Sequence, residues 1–103
     1  MTESEFLNAS DAAFDHIEAV LDAAAFDLDL NRNGNVLEIE FDDGAKIVAN
    51  RHVASQELWL AARSGGYHYR LQDNAWRSTR DESEFFTQLA ELIARHAGQR
   101  PSF

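Results

Sequence analysis

The sequence predicts an α+β fold, an α-β sandwich with an N-terminal and a C-terminal helix packed on one face of an antiparallel sheet of about six strands. Three observations predict it. Apolar residues recur at helical spacing only near the two ends of the chain. Between the ends their period drops to two. The turns between the alternating runs are too short for crossover helices, so successive strands form an antiparallel meander. The 103 residues suit one domain, 1–103, with a single modest core.

From Ser4 to about Ala25 the spacing predicts a helix, with Phe6, Ala9, Ala13, Ile17, Val20 and Ala24 as its apolar stripe and Phe14 and Leu21 at the margin. "DLDLN" is a first strand, with Leu28 and Leu30 on one side and Asp27 and Asp29 on the other. "NRNG" turns into "VLEIEF", and Asp43–Gly44 is a hairpin signal leading to "AKIVAN". "ELWLAAR", "YHYRL" and "AWRS" complete the sheet, with Gly65–Gly66 as a hairpin turn. The segment "DESEFFTQLAELIARHAG" is the second helix, with Asp81 as N-cap, Glu84 completing a capping box and Gly98 at the C-terminal cap. With both helices on one face, the other sheet face is left open to solvent.

Charge is distributed unevenly. The formal net charge is −9, and residues 1–31 hold eight acids with no lysine or arginine. At about 100° per residue, Asp11, Asp15, Glu18 and Asp22 fall within a sector of about 60°. They form a ridge opposite the apolar stripe, and Asp27 and Asp29 extend it across the connection. No internal cation is expected to neutralise it. Clustered carboxylates suit hard cations, or a basic protein surface whose encounter they accelerate. A solvated face kept acidic for solubility is the bland alternative, although mixed signs would serve solubility well. Nucleic acid and anionic membranes are disfavoured as partners. No apolar run is long enough to span a bilayer, and the N-terminus has no secretory or transit pattern, which suggests a cytoplasmic protein.

Strand parity places Trp59 opposite Leu58 and Leu60, on the uncovered face with Asn50 and, as candidates, Glu38, Glu40, His68 and Arg70. An exposed tryptophan is a common interface anchor, and one tucked among its sheet neighbours is the structural alternative. Catalytic signals are absent. There is no cysteine, no nucleophile elbow and no Gly-rich phosphate loop. The histidines have no metal-ligand spacing: His16 points away from the ridge, His52 lies in a loop, His68 alternates with tyrosines and His96 is on the buried side of the second helix.

"SEF", the acidic first helix, "DLDL", "NGNVLEIEFDDGAKIVANR", "WLAARSGGYHY", Trp76 and the closing amphipathic helix together resemble the frataxin family, especially its bacterial members, over essentially the whole chain. The resemblance implies an iron-binding protein of iron–sulfur cluster assembly. It implies weak Fe²⁺/Fe³⁺ binding through Asp11, Asp15, Glu18, Asp22, Asp27 and Asp29, and contact with a cysteine desulfurase and the scaffold protein. Asp15, Glu18 and Asp22, and on the sheet Asn50 and Trp59, would make those contacts. The expectation is not an enzyme but a monomer, with metal-dependent oligomers and ferrous-ion oxidation as lesser alternatives. A pure acidic interaction module, with metal binding incidental, is the rival. The chain departs from the family pattern at "AAAF" after Asp22, at Asn31, and at His52, Ala54 and Glu57. The thinner ridge implies fewer irons or weaker docking.

Overall fold

The computed structural model describes residues 1–24 and 26–103. The predicted helix ending near Ala25 closes within them, since α1 spans Glu3–Ala23, and Ala25 itself lies outside the described residues. Thr2 caps it through a capping box in which the Thr2 hydroxyl accepts from the Glu5 amide and the Glu5 carboxylate accepts from the Thr2 amide. Six strands follow in chain order: β1 Leu28–Asn33, β2 Val36–Phe41, β3 Lys46–His52, β4 Glu57–Ala62, β5 Gly65–Gln72 and β6 Ala75–Ser78. They form one antiparallel sheet in the same order, as the short connections require. The chain closes with α2, Phe85–Ala97, on the same face as α1.

Two turns differ from their expected positions. The first turn is Gly34–Asn35 and not the whole of "NRNG", so β1 runs on through Arg32 and Asn33. Gly34 takes the positive φ of 59° that the first position of such a hairpin demands. The β4–β5 turn is Arg63–Ser64, and Gly65 and Gly66 open β5 instead of forming the turn. The second helix is also capped differently. Glu84 is its N-cap, accepting from the Phe86 and Thr87 amides, while Asp81 binds the Ser83 amide and hydroxyl one turn earlier. A single carboxylate thus satisfies two orphan donors, and Gly98 ends the helix in the left-handed conformation.

The core lies between the helices and the inner sheet face. Leu37, Ile39, Ile47, Ala49, Leu58, Leu60 and Tyr69 from the strands meet Phe6, Phe14, Ile17, Phe85, Leu89 and Ile93. Phe14 and Leu21 belong to the centre of the α1 stripe rather than its margin, whereas Val20 is only half-buried and Ala24 is exposed. Large side chains displace small ones toward the edge because the interface gains most from burying them. The Tyr69 ring packs edge-on with Phe85, and its buried hydroxyl has no hydrogen-bond partner among the described residues. No described helix is long and apolar enough to cross a membrane.

Candidate functional site

The acidic residues follow from α1 and its packing beside β1. Asp11, Asp15 and Glu18 converge on one face, as the helical spacing predicts, and one side chain gathers them. Arg32 Nη1 donates to Asp15 Oδ1 and to Glu18 Oε1, each at 2.6 Å, while its Nη2 reaches Asp11 Oδ1 at 3.2 Å. Its guanidinium carbon stands 5.4 Å from the centroid of the Phe14 ring. The Asp15 and Glu18 hydrogen bonds push the Arg32 pKa further above its already high value, so its charge is permanent. Asp11 is held from a second direction by Arg51, which also donates to Ser10 Oγ at 3.2 Å and to the Leu7 carbonyl at 3.4 Å.

The expectation of an unneutralised ridge is therefore wrong over its N-terminal half. Arg32 is the first residue beyond the base-free segment, and parity puts it with Leu28 and Leu30 on the helix-facing side of the strand. The other half differs. Asp22, Asp27 and Asp29 form no ion pair among the described residues. Asp29 pairs across the sheet with Glu40 on the outer face, so the acidic surface wraps over the β1 edge instead of continuing along one ridge. Asp27 adjoins Asp42, a residue read in the sequence only as part of a turn. A hydrogen bond shared with Asp27, then repulsion from its charge and from Asp29 and Asp43, raises the Asp42 pKa. Asp43 Oδ2 lies 4.0 Å from His96 Nδ1, and His96 stacks on Phe41 at 4.7 Å between ring centroids.

Hard oxygen donors of this kind fit iron ions chemically. Geometrically they make no cage: among the described residues, no three Asp, Glu, His or Cys side chains converge as a metal site. The surface suits loosely held cations that keep much of their own water.

The outer sheet face carries Trp59 with Asn50 and His68 directly beside it in register. The face is less open than expected, because Trp59 is half-buried between two imidazoles. His52, the last residue of β3 and not a loop residue, stacks on one side at 4.2 Å with an interplanar angle of 6°. His68 stacks on the other side at 4.3 Å and 7°. Below them sits Glu57, only 7% exposed. It accepts from Trp59 Nε1 at 2.7 Å, from Arg70 Nε at 2.9 Å and from Ser55 Oγ at 3.3 Å. Ser55 Oγ in turn lies 2.7 Å from His52 Nδ1. Burial alone would raise the Glu57 pKa; the hydrogen bonds from Trp59, Arg70 and Ser55 outweigh it and hold the carboxyl below its ordinary range. His52 and Glu57 thus build the support of Trp59 from opposite sides of the β3–β4 hairpin.

A six-stranded meander under two helices, with an acidic flank around α1 and a tryptophan on the opposite sheet face, defines a frataxin-like domain. The chain belongs to the frataxin family, whose domain model matches residues 1–99. Among its relatives, the iron–sulfur cluster assembly protein CyaY of Chromobacterium violaceum is 52% identical over 103 residues, covering 100% of this chain and 98% of its own length. The protein of the same name from Neisseria meningitidis serogroup B is 50% identical over 99 residues, 96% of this chain and 92% of its own. In three dimensions the chain is similar to the frataxin of Psychromonas ingrahamii, a member of the CyaY family, with a TM-score of 0.95 at 29% identity, covering 99% of this chain and 97% of that one. Trimeric yeast frataxin complexed with ferrous iron shares the fold, with a TM-score of 0.71 at 21% identity over 96% of this chain and 88% of its own.

Proposed function

We propose that this protein is an iron-binding accessory factor of iron–sulfur cluster assembly in the bacterial cytoplasm, acting without catalytic turnover of its own. Its acidic flank takes up Fe²⁺ or Fe³⁺ loosely and presents negative charge to the basic surface of a cysteine desulfurase, with Asn50 and Trp59 contacting the scaffold side of the machinery. The observation that carries this reading is the concentration of hard oxygen donors along α1 and the β1–β2 end of the sheet, in a chain half-identical to proteins named for cluster assembly. Anaerobic titration with Fe²⁺ is expected to broaden backbone amide signals along the flank, most strongly from Asp22 to Asp29 and at Asp42–Asp43, and to spare α2. Broadening centred on α2 or on the Trp59 face would overturn the metal assignment.

One observation favours the rival, an acidic docking module with incidental metal binding: half of the ridge already has guanidinium partners. The neutralised variants Asp22→Asn, Asp27→Asn and Asp29→Asn, at the carboxylates where iron broadening is expected to be strongest, separate the two. Loss of desulfurase binding with an unchanged iron titration selects the rival.

A further inference from the structure

Arg32 stands where a cation would stand if the N-terminal half of the ridge bound one. Its guanidinium is reached by oxygens from three successive turns of α1, at 3.2 Å from Asp11 and 2.6 Å from Asp15 and from Glu18. It is covered on another side by the Phe14 ring, and its side chain is only 25% exposed. The side chain is anchored on β1, so it arrives with the fold and needs no recruitment from solution. A tethered ligand of this kind competes at an effective concentration on the order of millimolar or more, which a loosely bound ion must exceed. The guanidinium also fills its place with directed N–H donors, which a hydrated ion has to replace entirely.

We propose that Arg32 is a built-in competitor that excludes divalent cations from Asp11, Asp15 and Glu18 and confines them to the carboxylates beyond its reach, Asp22, Asp27 and Asp29. The inference rests on the reading that the acidic flank takes up iron, and it adds a division of labour along that flank. The distal carboxylates receive metal. The proximal ones stay in an arginine-held arrangement, open to metal only when something draws Arg32 away. The residues present therefore do not fit a metal at the centre of the ridge, although their chemistry alone would suit one.

The test compares wild type with Arg32→Gln by titrating Mn²⁺, a hard paramagnetic ion stable in air, and following backbone amide broadening. In wild type, broadening is expected to centre on residues 22–29 and 42–43 and to reach residues 11–18 only at higher concentration. In Arg32→Gln it should spread to residues 11–18, with the midpoint there falling about five- to tenfold, the scale set by several partly exposed ion pairs. Arg32→Lys keeps the charge but not the fork and should lie between the two. It carries the same comparison should the glutamine variant not fold, as judged by amide dispersion in α2. Identical footprints and midpoints in wild type and variants would overturn the role of Arg32 while leaving iron uptake by the flank standing. If no flank signal broadens in any of the proteins, metal uptake itself is refuted, and the competitor role goes with it.

Discussion

Glu57→Ala is expected to destabilise the protein by about 3 kcal/mol, because it strips a nearly buried carboxylate from beneath three donors. The Trp59 indole N–H and the Arg70 guanidinium lose their acceptor together, and Ser55 loses the partner that orients it toward His52. Glu57→Gln retains an acceptor for Trp59 and should cost about 1 kcal/mol, the difference between a charged and a neutral partner for Arg70. The pH dependence has a definite sign. The folded-state pKa of Glu57 lies below its unfolded value, so its stabilising contribution is complete above the ordinary glutamate value of about 4.3 and is lost as pH falls through the lower, folded one. Urea unfolding followed by tryptophan fluorescence should therefore show a gap between wild type and Glu57→Gln at pH 7 that narrows toward pH 3. Equal midpoints at pH 7 would mean that Glu57 does not support the tryptophan stack.

Arg51→Leu is the second large effect. Arg51 is 13% exposed and ties β3 to α1 through Asp11, Ser10 and the Leu7 carbonyl, and to the first hairpin through Asn35 Oδ1 at 2.9 Å. Removing it strips the buried Ser10 Oγ of its donor and Asp11 of one of its two guanidinium partners at a helix–sheet seam, while the Ser10 hydroxyl still donates to the Leu7 carbonyl, with an expected loss of about 2–4 kcal/mol. Arg32 also spans from the sheet to α1, but its carboxylates keep much of their contact with water, with the Asp15 side chain 69% and Glu18 33% exposed. Exposed pairs contribute little, so Arg32→Gln should cost no more than about 1 kcal/mol. Denaturant melts of the two variants test the contrast. Comparable losses would show that both arginines are structural struts and would weaken the assignment of Arg32 to cation control.

The fold was legible because period and turn chemistry agreed along most of the chain. β2 and β6 fall on the residues where alternation places them, and the antiparallel order follows from the short connections. The helix stripe was read less well, since spacing alone puts Ala24 in the stripe and Phe14 at its margin, whereas packing favours the larger ring. The acidic face of α1 was legible from angular spacing, but its partners were not, because charge counted along the chain ignores strand parity. Ending the first strand at Asn31 hid Arg32. Two further residues of strand return it to the side of Leu28 and Leu30, beneath the carboxylates. Register hid Asp42 in the same way: with Leu28 opposite Phe41, continuing the ladder by one residue brings Asp27 to Asp42. The Trp59 sandwich required knowing that β3 continues to His52, a boundary that a loop-like "HVAS" does not announce.

The working role of the negative flank is tested most directly by titrating the isotope-labelled protein with the unlabelled cysteine desulfurase at low and at high salt. The expected footprint lies along α1 from Asp15 to Asp22 and over Asp27, Asp29 and Asp42, overlaps the iron footprint, and weakens steeply as salt screens the charges. A footprint confined to α2, or an affinity indifferent to salt, would contradict it.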